Sequence, residues 1–449
     1  MNKNDKLVDR INYIIMVLLI IGMPIINLIK IYSVYFFRSR LFLNFDFVHI
    51  LWFLLPIMML ITLYNIKQKR IKKNIFTILI TIIMVLMVVS TIFAINKTTA
   101  IYGIVNRNEG LLSILAYYFI MLNCMTINRK NIYKLINIFI GCGLLQVIYA
   151  VLQVVFRVNF VMKFPIKYMA SGLIGNPNFF GSYMILLIGL TIGLYFFSKK
   201  YNKFYFIASL LFLIGLILSE STGPFLSFII LFGFIIILFA IKKIKLKKVL
   251  ILAMACFITF AFTNCFTQII FINIFNDEIN MNYSISSDML RIFGISSEKI
   301  SEITGVVKDD DLEFASGRMV LWQKTLEIVP KYPLTGVGLD NLFYVFPQIW
   351  GGSKIDKAHN EYLQLMVTTG IPTVVVYLSL LFLIFLKGIF TKDKLITILL
   401  LSFVGYSIQA FANISIVEVA PYYFMISGFI IGLDNNFKFK EIKSLFHCK

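Results

Sequence analysis

The sequence predicts an all-α fold: a polytopic membrane helix bundle of about twelve transmembrane helices, with one large extracytoplasmic loop that contains short helices. Of the 449 residues, 59% are hydrophobic and 14% are charged, whereas in soluble domains about half are apolar and about a quarter are charged. The apolar segments are continuous rather than alternating, which favours helices over a barrel because each helix satisfies its own backbone hydrogen bonds. Lipid must therefore be part of the solvent around this chain.

Each predicted span is a mainly apolar segment of about the length that crosses a bilayer as a helix, roughly 20 residues. The predicted spans lie at 12–30, 47–66, 75–95, 111–127, 135–156, 179–197, 204–220, 225–241, 249–274, 361–386, 395–414 and 420–434. The first is expected to be a span rather than a cleaved signal, because its apolar stretch is long and no small-residue cleavage site follows Pro24.

The basic residues predict the orientation. If the N-terminus lies inside, every second connection is a short basic loop, as the positive-inside rule describes. These loops lie at 67–73, 129–134, 199–203, 242–248 and 387–394, and a basic tail follows at 438–449. Both termini are therefore expected in the cytoplasm and the chain in the plasma membrane. The net charge of +20 then reflects topology and contact with anionic membrane lipids. Nucleic acid is not expected as a partner, because spans separate the basic clusters.

The chain shows no appended soluble domain, so residues 1–449 are expected to form one membrane domain that includes the large outer loop, 275–360. Loops of this length are usually functional or disordered. In this loop Ser316 can cap a helix over 317–329 that Pro330 ends. The apolar face predicted for this helix by its spacing contains Met319, Trp322, Leu326 and Val329.

A glycine-containing turn follows that helix. Gly336 and Gly338 allow the backbone to pass close to another group. Asp340 is expected to cap a short aromatic helix over 341–346. The turn thus leads the chain back toward the predicted span 361–386.

Four cationic or protonatable side chains approach the outer end of that span, namely Arg318, Lys354, Lys357 and His359. Together they could hold a pyrophosphate, the arginine by a bidentate fork and the lysines as point charges. Arg318 lies in the first helical turn, where a cation gains nothing from the helix dipole. That position indicates an anion, although a surface arginine without a ligand is the alternative.

His359 has an unperturbed pKa near neutrality and could accept a proton from an attacking hydroxyl. A polar anchor at the membrane interface is the alternative interpretation. The next residue, Asn360, can cap the following helix or contact a substrate. The five cysteines show no spacing typical of disulfides or of a metal site, and no metal or cofactor is expected.

The run His359-Asn360, nine residues, Gly370, two residues, Thr373 resembles the signature of the O-antigen ligase and O-antigen polymerase superfamily. The upstream Ser-Gly-Arg318 and the turn at 333–338 are similar to the C-terminal domain of that family. Two weaker similarities lie at 175–178, which reads Gly-Asn-Pro-Asn, and in the arginine-containing loop 102–110.

The resemblance implies a membrane glycosyltransferase that acts at the outer face without metal or nucleotide. It implies transfer of a glycan from a polyprenyl-pyrophosphate donor to a hydroxyl of a glycan, lipid or protein acceptor. By position, Arg318 is expected to contact the pyrophosphate, and His359 to activate the acceptor or orient the donor. The other substrate-binding residues expected beside them are Lys357, Asn360, Gly336 and Gly338.

One family feature is absent. Members often carry a further arginine in a Ser-Arg-Gly context at the outer end of an earlier span, where this sequence has Ser221-Thr222-Gly223. The candidates to replace that arginine in donor binding are Arg107, Lys167 and Arg291. The departure affects the donor-binding set more than the family assignment.

Two other functions are compatible with so many spans. A transporter or a flippase for lipid-linked glycans is one, although transporters usually carry repeats and charged or broken spans near the midplane. Another integral polymerase that uses the same lipid carrier, such as a cell-wall glycan polymerase, is the second. It would share the substrate class but not the His-Asn spacing.

Overall fold

The computed structural model describes residues 3–35, 46–105, 107–156, 169–198, 201–242, 244–275, 318–349 and 355–433. Within these ranges the chain forms helices and no strand. The all-α prediction is thus confirmed for this part of the chain. Four residues that the sequence singles out, Lys167, Arg291, Ser316 and Lys354, lie outside the described residues.

The α-helices are numbered here in chain order through the described ranges. They are α1 (Lys3–Tyr35), α2 (Phe47–Lys67), α3 (Ile75–Ile92), α4 (Lys97–Tyr102), α5 (Leu111–Cys124), α6 (Arg129–Phe156), α7 (Pro177–Phe197), α8 (Asn202–Leu218), α9 (Thr222–Lys242), α10 (Leu246–Phe275), α11 (Arg318–Leu326), α12 (Leu342–Ile349), α13 (Glu361–Thr369), α14 (Ile371–Phe390), α15 (Lys394–Gln409) and α16 (Ala420–Gly432).

Each predicted span coincides with at least one of these helices. Seven helices of the described ranges, α1, α2, α3, α6, α7, α10 and α14, contain segments long and apolar enough to cross a membrane. Five further apolar segments are shorter, with 10–17 residues: Leu111–Cys124, Asn202–Leu218, Thr222–Leu238, Lys394–Gln409 and Ala420–Gly432. The protein is therefore a helical membrane protein, while the count of twelve spans stays a prediction.

Helix α7 forms the centre of the bundle, where 94% of its span is buried. It packs against α8, α9 and α15. Glycine makes the closest of these contacts possible, because a Cβ on Gly189 would lie 2.5 Å from the Ser402 Cα. The Ser402 hydroxyl donates a 2.6 Å hydrogen bond to the Leu186 carbonyl across the same contact. Helices α7 and α15, held this closely, form a rigid base for the loops at their ends.

The single span predicted at 361–386 is wrong, because the chain breaks at Gly370 into α13 and α14. Gly370 has φ +87°, and a Cβ there would lie 2.1 Å from the Leu334 carbonyl oxygen. Pro372 lies in the first turn of α14, where its missing N–H costs no helical hydrogen bond. The short helix α13 is therefore a separate element between His359 and the span α14.

A second apolar core joins α11, the segment 328–346 and Ala358 to α13. It is built from Leu321, Ile328, Val329, Val337, Leu342, Val345, Phe346, Ala358, Leu363 and Val367. The face predicted for α11 is partly wrong, because Met319 and Leu326 are about half exposed while Leu321 and Thr325 are buried. The buried stripe is displaced from the predicted one because α13 contacts the adjacent face of α11.

Ion pairs join segments that the sequence places on the same side of the membrane. Arg70 pairs with Asp9, and Arg129 with Asp393, between predicted inner segments. Lys30 pairs with Asp46 between predicted outer segments. These pairs agree with the alternation of loops, while the orientation across the membrane stays a prediction.

Candidate functional site

His359 lies in the loop that enters α13 and has an unusual backbone conformation. Its φ of +51° is in the left-handed region, which costs a residue with a Cβ about 1–2 kcal/mol. The side chain is partly buried. Burial, followed by the positive charges of Arg318 and Arg107, lowers the pKa of His359 to about 4. The imidazole is therefore neutral near pH 7 and has a lone pair available to accept a proton.

The residues on both sides of His359 are fixed by hydrogen bonds. The Ala358 N–H donates to the Gln364 Oε1 at 2.8 Å. Asn360 caps α13, where its Oδ1 accepts from the Leu363 N–H at 3.0 Å. The capping interpretation of Asn360 is confirmed, and a contact with substrate stays a prediction. These bonds hold the backbone at His359 in place.

Arg318 begins α11 and extends to the N-terminal end of α9, which contains Gly223. A Cβ placed on Gly223 would lie 3.5 Å from the Arg318 Nη1 and 3.0 Å from the Ala412 Cβ. The guanidinium is thus close to the Ser-Thr-Gly segment where the family arginine is absent. Its charge lowers the pKa of His359, which places the two groups within electrostatic reach of each other.

Arg107 is the one of the three candidate replacement cations that the described ranges contain, and it lies near His359. Its Nε and Nη2 donate to the Asp356 carboxylate at 2.6 and 3.3 Å. Its charge also lowers the pKa of His359. Because a guanidinium has five N–H donors, three remain for another anion.

Lys357 has a different environment from the one that the sequence suggests. It is 2% exposed, and its Nζ lies 3.1 Å from the Glu109 Oε2 and 2.5 Å from the Asp340 Oδ1. Burial lowers the pKa of Lys357, but the Asp340 and Glu109 carboxylates outweigh burial and hold this pKa above its usual range. A charge neutralised in this way is poorly placed to bind a substrate pyrophosphate.

A small cavity adjoins Lys357. Its volume is about 50 Å³, and its lining includes Glu109, Asp340, Lys357, Glu361 and Ser415. A cavity of this size has room for a few water molecules. It is too small for a glycan or a pyrophosphate.

Gly336 and Gly338 pack against protein backbone. At φ +65°, a Cβ on Gly336 would lie 2.2 Å from the Thr368 carbonyl carbon, and one on Gly338 would lie 2.3 Å from the Ala94 Cβ. The Gly338 N–H donates to the Thr368 carbonyl at 2.9 Å. The close approach predicted for these glycines is therefore to α13 and to the segment that follows α3, and a substrate contact stays a prediction.

The prediction that Asp340 caps a helix is wrong. Its Oδ2 instead accepts from the N–H groups of Ile104 at 3.0 Å and Glu109 at 3.3 Å. The helix begins only at Leu342. The sequence also gives no site role to Glu109 or Asp356, although acidic residues beside Arg107 and Lys357 in an apolar chain are a signal for buried ion pairs.

Within the described ranges, no group of three or more His, Cys, Asp or Glu side chains is arranged to hold a metal ion. The positive charges near His359 come from Arg318 and Arg107. The site therefore has a neutral imidazole beside two guanidinium groups, one of them paired with Asp356. This arrangement suits an anionic donor that reacts with the hydroxyl of an acceptor.

Comparison with known families identifies the class. The family model described as O-Antigen ligase matches residues 207–378. This segment belongs to the O-antigen ligase superfamily, which confirms the resemblance noted from its motifs, and it contains both Arg318 and His359. A comparison with curated proteins finds no match.

The match indicates a general activity. The matched segment is similar to membrane glycosyltransferases of the O-antigen ligase and polymerase type, which act on glycans in polysaccharide biosynthesis. The family assignment favours this enzyme over the transporter and flippase alternatives. It leaves the donor, the acceptor and the residue roles to be proposed from the site.

Proposed function

We propose that the protein transfers a glycan from a polyprenyl-pyrophosphate carrier to a hydroxyl of a glycan, lipid or protein acceptor at the outer membrane face. The observation that carries this proposal is a neutral imidazole, His359, that lies near two guanidinium groups, Arg318 and Arg107. Burial lowers the pKa of His359 most, and the two positive charges lower it further. Guanidinium groups match the geometry of phosphate oxygens. An imidazole beside them can accept the proton that the acceptor loses.

The reaction balances without an added reactant. The acceptor oxygen forms a bond to the anomeric carbon of the donor as the bond from that carbon to the pyrophosphate oxygen breaks. His359 takes the hydroxyl proton and later releases it to water. Arg318 and Arg107 stabilise the negative charge that develops on the departing polyprenyl pyrophosphate. No metal is required in this proposal, because the two arginines supply the positive charge.

Donor binding would also adjust the strength of the base. A histidine with a pKa of about 4 is a weak proton acceptor near pH 7, since catalytic bases work best with a pKa close to the operating pH. A bound pyrophosphate would offset the charges of Arg318 and Arg107 that lower this pKa. The pKa of His359 would then rise, so the imidazole becomes an effective base when the donor is in place.

The polyprenyl chain of the donor has a suitable path beside Arg318. An apolar groove of about 260 Å³ begins near the outer end of α9, close to Gly223. Its lining is entirely apolar and largely aromatic: Leu213, Phe225, Phe228, Ile229, Phe232, Ala253, Cys256, Phe257 and Phe260. A pyrophosphate held by Arg318 would place the first isoprene units in this groove.

The proposal is tested with purified protein in lipid discs. We expect it to consume a polyprenyl-pyrophosphate glycan, to join that glycan to a hydroxyl acceptor and to release polyprenyl pyrophosphate. The rate should be the same with and without EDTA, because the arginines replace a metal in stabilising charge. Loss of activity in EDTA that returns with a divalent ion would contradict the metal-free mechanism, and intact donor throughout would contradict the function.

A substitution that fills the groove should act on the carrier alone. Ala253→Trp is expected to raise KM for a long polyprenyl donor about tenfold, the change produced by a loss of about 1.4 kcal/mol in binding. A donor with a short isoprenoid chain should keep its KM. Met254→Trp is the control, because Met254 is 67% exposed and lies outside the groove lining. Equal effects of the two substitutions, or of the two donors, would exclude the groove as the carrier site.

A further inference from the structure

A set of ion pairs, of which those of Lys357 are buried and that of Arg107 is half-buried, lies beside the site. We name it the outer polar cluster, and it consists of Arg107, Glu109, Asp340, Asp356 and Lys357. Its members come from three segments: the loop between α4 and α5, the turn before α12 and the loop before α13. Arg107 pairs with Asp356, and Lys357 pairs with both Glu109 and Asp340.

The two connections between the first and third segments run side by side. Arg107 and Glu109 lie two residues apart, and the chain presents opposite charges to them from the adjacent Asp356 and Lys357. A guanidinium–carboxylate fork and a buried lysine–carboxylate pair together restrict both sliding and rotation of one segment against the other. Arg107 therefore has a defined position relative to the loop that carries His359.

Asp340 adds the second segment to this arrangement. One carboxylate oxygen lies 2.5 Å from the Lys357 Nζ. The other accepts from the backbone N–H groups of Ile104 and Glu109. Asp340 has φ +56°, so the turn holds its backbone in the left-handed conformation. One carboxylate thus fixes the lysine and the loop of Arg107 at the same time.

His359 lies two residues beyond Lys357. The loop is fixed before it by the side chain of Lys357 and after it by the Asn360 cap. The intervening left-handed conformation at His359 persists only where its surroundings hold it. The buried lysine is therefore connected to the imidazole through a short and constrained stretch of backbone.

We propose that the Glu109–Lys357–Asp340 triad positions His359 and Arg107 for the transfer reaction without contacting the substrate. Lys357 is 2% exposed, and the cavity beside it has room only for water. The inference rests on the proposed function, in which His359 accepts the proton and Arg107 binds the pyrophosphate. It assigns Glu109, Asp340 and Lys357 a role as positioning residues.

The main test is Lys357→Met, which keeps the length of the side chain and removes its charge. We expect kcat to fall about 100-fold, the loss that a displacement of about 1 Å can cause. The affinity for polyprenyl pyrophosphate without a glycan should fall as well, because Arg107 loses its fixed position. The acylation of His359 by diethyl pyrocarbonate, followed by mass spectrometry across pH, should show the imidazole titrating at a higher pH.

The direction of that titration shift follows from the charges around His359. Arg318, Arg107 and Lys357 lower its pKa, and Asp356 raises it. Removal of the Lys357 charge takes away one of the lowering groups, and a looser loop exposes the ring to water. Both changes raise the pKa. A folded Lys357→Met protein with the native titration, native affinity and native kcat would overturn the proposal.

Two further variants keep the test decisive if Lys357→Met does not fold. Glu109→Gln leaves Asp340 as the partner of Lys357, and we expect a smaller loss of both kcat and polyprenyl-pyrophosphate affinity. The exchange Glu109→Lys with Lys357→Glu retains one cation and two carboxylates. It should restore part of the kcat and part of the polyprenyl-pyrophosphate affinity that Lys357→Met loses. Native behaviour of Glu109→Gln would contradict the role of the triad, as would an exchange variant that folds but restores neither quantity.

The matched control is Lys324→Met, which removes a lysine from the exposed pair with Glu327 on α11. It should leave the His359 titration and the pyrophosphate affinity unchanged, since exposed ion pairs contribute little. The proposed function has a separate test, the loss of transfer in His359→Ala. If that variant is inactive while a folded Lys357→Met protein is fully active, the function stands and the positioning role is wrong.

Discussion

Replacement of His359 by alanine is expected to abolish glycan transfer while the protein remains folded in the membrane. Removal of a general base typically costs about 10²–10⁴-fold in rate, and His359 is the neutral imidazole beside Arg318 and Arg107. The left-handed φ of +51° at His359 is strained for any residue with a Cβ, so alanine keeps most of the strain that histidine already bears. The measurement is kcat for release of polyprenyl pyrophosphate, together with the length distribution of the glycan product.

His49→Gln is the control for this loss. His49 is exposed in the first turn of α2 and should tolerate the change without loss of transfer. Binding of polyprenyl pyrophosphate should survive in His359→Ala, because Arg318 and Arg107 remain. A normal glycan length distribution in His359→Ala would reject the catalytic role, and loss of pyrophosphate binding would indicate that the imidazole orients the donor instead.

The pH dependence of the unsubstituted protein checks the same role. Protonation of His359 removes the base, so activity should fall on the acid side. In the free enzyme this fall in kcat/KM is expected near the pKa of about 4. In the donor complex the pyrophosphate charge raises the pKa, so the fall in kcat should occur at a higher pH. Acid limbs at the same pH in both profiles would argue against a donor-adjusted base.

Much of the class was predictable because it depends on local sequence. Continuous apolar segments predict helices in lipid, and the described helices coincide with them. The spacing from His359 to Thr373 predicts the family that the comparison finds over 207–378. The structure also brings Arg318 close enough to His359 to affect its pKa, although 40 intervening residues separate them in the sequence.

The features that could not be predicted depend on partners far away in sequence. Lys357 reads as a surface cation until its contacts with Glu109 and Asp340 are known, and Glu109 is 248 positions away. Asp340 reads as a helix cap because capping is the local use of such a residue. The long-range ion pair with Lys357 and the loop N–H groups take its carboxylate instead. No local pattern contains these pairings.

The break at Gly370 has the same origin in part. The stretch 361–386 reads as one apolar helix, and the glycine alone is tolerated within helices at a cost of about 1 kcal/mol. Pro372 is a local signal for the break, but the Leu334 carbonyl, which leaves no room for a Cβ at Gly370, comes from a distant segment.

The break has a consequence for the site. Helix α13 can pack against α11 while α14, a candidate span, is a separate helix. His359 is thereby attached to a short helix that packs against α11, the helix of Arg318.

Arg318→Lys is expected to impair transfer nearly as much as Arg318→Ala, despite retaining the charge. A lysine offers a point charge and lacks the planar fork that matches two phosphate oxygens. Removal of one group that stabilises developing charge costs about 10²–10³-fold in kcat, and the Lys variant should recover only a small part. The measurements are kcat, KM for the donor and the affinity for polyprenyl pyrophosphate.

The control for Arg318 is Arg129→Lys, which alters an arginine that binds Asp393 through two N–H groups, between predicted inner segments. It should leave transfer intact, because the Arg129 side chain is 53% exposed and such pairs contribute little.

A second measurement distinguishes a role of Arg318 in binding from a role in packing. Loss of the Arg318 charge in Arg318→Gln should raise the pKa of His359, since that charge lowers it. Normal donor turnover in Arg318→Lys, with an unchanged His359 titration in Arg318→Gln, would show that the guanidinium only packs against the end of α9 at Gly223.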